Sequence, residues 1–522
     1  MPVEPILVAG GWRQAAATRT YRAIVPASGT RLDREWPVSG WSDVEAALEA
    51  ATAAGRELAR LPAAALAEFL ERYATRLEAR AGELVAVAHA ETGLPKEPRL
   101  ADVEMPRMLD QLRQAAASAR EGTWRMAMID RAKNIRAAAI GLGPVVVFPP
   151  ANFPFAYGAV TGGDFAAAIA AGNPVIAKAH EGHPAVSRLA AEEAVAALRE
   201  AGLPAATVQL LHGLEPPDGE RLVADTRVGA TGFTGSQAAG ETLFRAASAA
   251  GRVIWVEMGS VNPVVLLPGA LAERAAAIAD ELTASVTGSA GQFCTKPGLV
   301  FLVGDAAGQS FVATLAEKFA AIGPQVLLGP AGCERLVASI GRLERAGARV
   351  LAGTAAAAGP ASHVPVLLEV SARELLARPA DLVVEAFGNA TVLVVCESLE
   401  ELHCGLGCVH GSLGASLYAA KNGRDDAAFT ATVPLLVDRA GRVIENRMPT
   451  GLAVVPSMQH GGPWPSAGPP FFSAVGFPWT MLRFARRVCY DGWTENRLPE
   501  IVRDAGPAGS PWRFIDGSWT RG

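Results

Sequence analysis

The chain reads as an α/β protein built on a parallel, doubly wound sheet, and three features predict this. From Gly143 onward short apolar segments alternate with helical ones, long alanine-rich amphipathic stretches precede that block, and a glycine-bearing turn lies where a strand runs into a helix. Helical patterning covers Trp41 to Leu61, Ala63 to Glu91 and Met105 to Glu121. Val145–Phe148 is then a strand and Gly163–Ala171 a helix. Val175–Ala177 is a strand, Pro184–Ala201 a helix and Val208–Leu211 a strand. The strand around Val228–Gly232 runs through Thr234, Gly235 and Ser236 into a helix from Ala238 to Ala249. A second alternating block begins at Val253. The tail after Gly461 is rich in proline, glycine and aromatics and reads as a wrapping or subunit-contact segment.

Composition narrows the function classes. A chain of 522 residues is too long for one core, so two or three domains are expected. Half of the residues are hydrophobic and 19% are charged, which suits a well-buried globular protein. The net charge of −5 offers nothing to nucleic acid or an anionic membrane surface. The most apolar stretch, Gly158 to Ala177, is interrupted by Asp164, Asn173 and Pro174, so no membrane span is expected. Met-Pro-Val-Glu-Pro at the start lacks the pattern of a signal peptide, and six scattered cysteines form no disulfide framework. A cytoplasmic location follows as the expectation.

Several residues carry possible chemistry. Cys294 lies in Gly291-Gln292-Phe293-Cys294-Thr295-Lys296-Pro297-Gly298, between a small-residue segment, Ala284–Ala290, and an apolar strand, Leu299–Val303. A thiol on such a turn is accessible and has backbone N–H groups near it, although a single intracellular cysteine also serves as a small buried hydrophobe. Glu257 follows the apolar strand Val253–Val256, where a carboxyl group is placed for general-base work or simply faces water. Asn152 follows the strand Val145–Phe148 and offers an oxyanion donor or an Asn-Pro-type turn. Thr234 to Gly240 makes a strand-to-helix turn with Gly-x4-Gly spacing between Gly235 and Gly240, either a pyrophosphate cradle or an ordinary cap. Lys178, one of six lysines, ends the strand Val175–Ala177, where open α/β sheets bind ligands. Glu385 and Phe387 offer a ribose-binding carboxylate and an aromatic face, or another turn. Cys404-x3-Cys408-x-His410 lacks a fourth zinc ligand and falls in a glycine-rich, strand-like stretch, so no metal is expected to be required.

Taken together and in order, Asn152-Phe153-Pro154, Lys178, Phe233-Thr234-Gly235-Ser236, Glu257 to Pro263, Gly291 to Cys294 and Glu385-Ala386-Phe387-Gly388 resemble the aldehyde dehydrogenase superfamily, over about residues 7 to 500. Gly291 to Gly298, Ser260-Val261-Asn262-Pro263 and Met458 to Pro463 are similar to the branch that holds 2,5-dioxopentanoate (α-ketoglutaric semialdehyde) dehydrogenases and NADP-linked fatty aldehyde dehydrogenases.

The resemblance implies the aldehyde dehydrogenase fold. That fold has a discontinuous Rossmann-like cofactor domain (1–128 and 143–256), an α/β catalytic domain (257–465) and a small β-flap oligomerisation element (129–142 and 483–522), giving a homodimer or a dimer of dimers. It implies oxidation of an aldehyde to an acid. Cys294 is the nucleophile that carries a hemithioacetal and then a thioester, Asn152 the oxyanion donor and Glu257 the base that activates water. Lys178 is to hold the adenosine ribose, Gly235, Ser236 and Gly240 the pyrophosphate turn, Glu385 the nicotinamide ribose and Phe387 the nicotinamide. Glu181, three residues after the lysine, together with the acidic stretch Gly213–Asp218, favours NAD over NADP, because a carboxylate accepts from a ribose 2′-OH and repels a 2′-phosphate. Phe153, Tyr157, Phe293, Thr295 and Trp464 are the expected pocket walls. The branch favours a semialdehyde such as 2,5-dioxopentanoate, whereas the apolar lining favours a medium-chain or aromatic aldehyde. A CoA-acylating enzyme would usually do without Glu257, and a silent binding or structural relative would often lack Cys294, Glu257 or Asn152.

Overall fold

The computed structural model describes residues 2–507, 509 and 511–521; Met1, Ala508, Ser510 and Gly522, which fall in the segments 1–128 and 483–522, lie outside the described residues. Of the five sheets among the described residues, the three largest organise the chain. The largest has eight strands, and its five central ones, Val208–Leu211, Val175–Lys178, Val145–Phe148, Ala230–Thr234 and Val253–Glu257, lie side by side in that order and parallel. The first three of these strands are rich in valine, isoleucine and leucine, and all five are buried almost throughout, as a sheet covered on both faces requires. Chain order reverses between Val145–Phe148 and Ala230–Thr234, and such a reversal opens a crevice beyond the carboxyl ends of the strands. Asn152, Lys178 and Glu257 all lie at those ends. Both edges are closed antiparallel, by Ile6–Val8 on Leu210 and by Ala467–Gly468 on Val256 and Glu257.

Most helices and strands start within a residue or two of the sequence reading. Two differ in kind. The helical stretch 63–91 is two helices, Ala63–Ala79 and Ala81–Thr92, because Arg80 leaves helical geometry (φ −104°, ψ 13°), with the weak helix former Gly82 just beyond. The strand read at Val228–Gly232 runs instead from Ala230 to Thr234, since Val228 closes a turn onto Asp225. Cys404 also lies in a helix, Leu399–Gly407, capped by the Ser398 hydroxyl, and not in a strand.

A second, seven-stranded sheet runs in the order Arg349–Ala352, Val366–Ser371, Ala390–Cys396, Leu299–Val303, Val264–Leu266, Ser412–Tyr418 and Ala440–Glu445. The helix Pro268–Thr287 packs on it, and the Asp425 carboxylate accepts from the Gly269, Ala270 and Ala420 N–H groups at 2.9, 2.9 and 2.8 Å, satisfying donors that every helix start leaves free. A third sheet of five strands joins Ala485–Asp491, Ile135–Gly141, Met128–Asp130, Trp512–Ile515 and Ser518–Arg521. Its chain link to the first sheet is Arg483, which forms a buried ion pair with Asp164 and accepts at its carbonyl from the Trp255 indole N–H at 2.6 Å. Among the described residues no helix is long and apolar enough to cross a membrane.

Candidate active site

Local backbone strain presents Cys294. After the helix Pro268–Thr287, the residues Ser289, Ala290 and Gly291 take φ of 48°, 55° and 66°. For the two residues that carry a Cβ, this left-handed geometry costs about 1–2 kcal/mol each. Gly291 is required, because a Cβ there would lie 2.3 Å from the Gly388 carbonyl oxygen. The reversed chain is then held by Asn262, whose amide donates to the carbonyls of Cys294 (2.8 Å) and Lys296 (3.0 Å) and accepts from the Gly414 N–H (3.1 Å). Lys296 is fully buried and donates to the carbonyls of Ala386 and Ala390, so the Cys294 loop and the Glu385–Gly388 turn are joined. Burial lowers the Lys296 ammonium to about 8, against the opposing charge of Glu385.

Glu257, Cys294 and His460 converge. Cys294 Sγ lies 3.3 Å from His460 Nε2, and His460 Nδ1 lies 2.8 Å from Glu257 Oε2. Among the described residues they are the only group of three His, Cys, Asp or Glu side chains with converging ligand atoms. Both ring nitrogens of His460 are engaged and the ring is 2% exposed. Burial alone would depress its pKa, but the charges of Glu257 and Cys294 outweigh that and raise it to about 10. The backbone N–H of His460 donates to Ser473 Oγ (3.0 Å), which in turn donates to the Val475 carbonyl (3.0 Å). The residue therefore sits firmly although its segment has no regular secondary structure.

Asn152 is buried, and its amide donates to the Gln292 carbonyl at 2.9 Å, two residues from the thiol. Its own carbonyl accepts from Arg99 Nη2 (2.8 Å), while Arg99 pairs with Glu104 (2.6 Å), whose carboxylate also accepts from the Phe155 and Ala156 N–H groups. Burial raises Glu104, against the charge of Arg99. This ion pair is 7% and 0% exposed and fastens the whole Asn152–Tyr157 loop. Replacing Arg99 by leucine should cost about 3–5 kcal/mol of stability by stranding a buried carboxylate. Denaturant unfolding would measure the loss, and a change under about 1 kcal/mol would show that the pair is dispensable.

Around the crevice, the helix Gln237–Ala249 begins at an exposed Ser236 whose hydroxyl makes no cap, so the first N–H groups remain free for an anion. The Gly235 N–H donates to the Glu257 carbonyl (3.0 Å), and a Cβ on Gly240 would lie 2.5 Å from Met258 Sδ. Lys178 Nζ is 4.0 Å from Glu181 Oε1. Glu385 Oε1 accepts from the Ser260 N–H (3.2 Å), and burial raises its carboxyl pKa. Phe387 is half-buried two residues along the same turn.

Phe153, Tyr157 and Phe293 form one aromatic wall, with ring centroids 5.4 Å apart for Phe153 and Tyr157 and 5.9 Å for Phe153 and Phe293. Tyr157 also stands 5.9 Å from the His460 ring, and Thr295 is buried beside the thiol. Trp464 corrects the sequence reading. It is 48% exposed and packs on Phe244 of the helix Gln237–Ala249, because beyond His460 the chain has already turned toward the edge strand Ala467–Gly468. The sequence reading also missed His460, Arg99, Arg107 and Arg19, the last paired with Glu215 at 2.8 Å. Only His460 had a local signal, its glycine-flanked place in Met458–Pro463.

Comparison with known proteins agrees with this geometry. The Aldehyde dehydrogenase family profile matches residues 12–404. The chain is 38% identical to alpha-ketoglutaric semialdehyde dehydrogenase 2 of Azospirillum brasilense, covering 98% of each, and 34% identical to alpha-ketoglutaric semialdehyde dehydrogenase of Acinetobacter baylyi, covering 84% of this chain and 85% of the relative. In structure it is similar to lactaldehyde dehydrogenase of Escherichia coli (TM-score 0.80, 23% identity, 94% and 99% covered). A mutant of aldehyde dehydrogenase C from Pseudomonas syringae is similar too (TM-score 0.80, 19% identity, 95% and 98% covered). A cysteine presented at the crevice of a doubly wound sheet, with relatives that match from end to end, means that this chain belongs to the aldehyde dehydrogenase family, oxidoreductases that act on aldehydes.

Proposed function

We propose that this enzyme oxidises a short oxo acid, a semialdehyde such as 2,5-dioxopentanoate, to the dicarboxylic acid, with NAD preferred over NADP. The observation that carries the chemistry is the unbroken line Cys294, His460, Glu257. Cys294 Sγ attacks the aldehyde carbon, forming a C–S bond. The oxygen that becomes negative takes donors from the Asn152 amide and the Cys294 N–H. The Gly235–Gly240 turn, Lys178, Glu385 and Phe387 would hold NAD, which would supply the acceptor for the hydride leaving the hemithioacetal carbon. Glu257, in ion-pair contact with His460, then takes a proton from water. The hydroxide attacks the thioester, the C–S bond breaks, and the thiolate returns beside the His460 ring while the acid departs. Glu257 beside the thiol favours water over CoA as the acyl acceptor.

Support for the carboxylate-bearing substrate comes from the two relatives named for α-ketoglutaric semialdehyde. The aromatic wall of Phe153, Tyr157 and Phe293 favours a second reading, a medium-chain or aromatic aldehyde. Support for NAD comes from charge. Near the expected ribose end Lys178 faces Glu181 and Arg19 faces Glu215, so neither of these two cations offers a 2′-phosphate an unpaired positive charge. Assays of 2,5-dioxopentanoate, hexanal and benzaldehyde with each coenzyme, with and without CoA, test both points. The oxo acid should lead by at least about 10-fold in kcat/KM, and NAD should lead NADP by a similar factor. A lead for NADP would overturn the coenzyme assignment.

The domain reading belongs to the same proposal: 1–128 with 143–256 for the coenzyme, 257–465 for catalysis, and 129–142 with 483–522 for pairing. The strands Ile135–Gly141 and Ala485–Asp491, which hydrogen-bond along their full length, support a flap that builds a homodimer or dimer of dimers. A cytoplasmic enzyme fits six unpaired cysteines.

A further inference from the structure

Arg107 lies in the first turn of the helix Met105–Glu121 and reaches the aromatic wall. Its guanidinium carbon is 5.0 Å from the Tyr157 ring centroid and 5.7 Å from that of Phe153. Nε donates to Gln111 Oε1 (2.9 Å), whereas Nη2 is buried and makes no hydrogen bond. The Tyr157 hydroxyl is likewise buried with no hydrogen-bond partner. The Tyr157 ring is thus a close neighbour of both the Arg107 guanidinium and the His460 ring, and Arg107 opposes the rise that burial imposes on the phenol pKa. Nearby carboxylates are committed elsewhere: Glu104 to Arg99 and the Phe155 and Ala156 N–H groups, Glu257 to His460. Arg99, the other guanidinium on this wall, already donates through both terminal nitrogens, to Glu104 and to the Asn152 carbonyl.

Buried donors are seldom left unmade without a reason. A free guanidinium N–H and a free phenol O–H, one aromatic ring away from the catalytic histidine, form a matched pair of donors for an anionic oxygen. We propose that Arg107, aided by the Tyr157 hydroxyl, holds the carboxylate of the oxo acid whose aldehyde end lies at Cys294. This rests on the semialdehyde reading above and makes Arg107 a specificity-determining residue that draws a charged substrate into an otherwise apolar pocket. It also joins the two readings of the lining, since the aromatic wall supports the methylene chain while Arg107 selects its charged end.

The test compares 2,5-dioxopentanoate with pentanal, an uncharged aldehyde of equal carbon count, on the wild type, Arg107→Gln and Arg107→Lys. The quantity read is the ratio of kcat/KM for the two aldehydes within one preparation, which does not depend on how much of a variant is folded. In R107Q the ratio should fall about 10- to 100-fold, the worth of a charge-assisted hydrogen bond, mainly through KM for the oxo acid. In R107K a smaller fall is expected, because a point charge replaces a fork. A ratio unchanged within threefold in R107Q, with both aldehydes oxidised by the wild type, would overturn the role of Arg107 and leave the semialdehyde reading standing. A wild type that oxidises pentanal but not 2,5-dioxopentanoate would overturn both.

Discussion

Cys294→Ala should abolish aldehyde-dependent NADH formation, by about 10⁴-fold or more, because no other group in the crevice can carry the acyl intermediate. The crevice proposed for the coenzyme lies at the first sheet and the Glu385–Gly388 turn, apart from the Cys294 side chain, so the variant should still bind NAD. Acid-quenched wild type incubated with substrate and NAD should carry the acyl mass on the peptide containing Cys294, and the variant should not. Residual turnover within tenfold of the wild type would show that the reaction proceeds without a covalent step at this residue.

His460→Gln should lower kcat about 10²- to 10³-fold, the usual worth of a positioned proton-transfer group. The pH profile separates this role from a packing defect. The His460 pKa, raised to about 10 by Glu257 and Cys294 against burial, keeps the ring protonated through the neutral range. Activity that depends on the imidazolium is therefore present below that value and lost as pH rises through it. In H460Q that alkaline limb should vanish, and a profile of unchanged shape would remove His460 from the proton path. The same group contributes to folding stability. A histidine raised above its unfolded value of about 6.5 stabilises the fold fully below that pH and loses the contribution as pH climbs through about 10. Thermal unfolding of the wild type should weaken across that window more than unfolding of H460Q.

Strand ends made most of the site legible in sequence. Asn152, Lys178 and Glu257 each follow an apolar strand, and in a parallel sheet those ends share one side, so local pattern and topology together bring them to a common crevice. Cys294 was legible from its glycine-flanked turn, although the reason for Gly291, a carbonyl where its Cβ would be, is visible only in three dimensions. His460 stood in a quoted motif but had no address, because its segment carries no helical or strand periodicity. Trp464, four residues on, was placed in the pocket as the end of the loop 456–464, and the side chain packs instead on Phe244. Arg99 and Arg107 were illegible for a different reason. They belong to an amphipathic region whose charged residues mostly face water, and nothing in the order of residues says that these two point inward.

The pairing of Ala467–Gly468 with Val256 and Glu257 looks at first like a mere two-residue edge. It also fastens the late part of the chain to the strand that ends in Glu257. Glu257 and Cys294 come from the middle of the chain, whereas the histidine between them lies shortly before the two residues that pair with the outer strand of the first sheet. A protein cut or stalled before that point keeps its nucleophile and its base but not the ring that links them. The line of three side chains thus draws on two distant parts of the chain, and a two-residue strand anchors the later one.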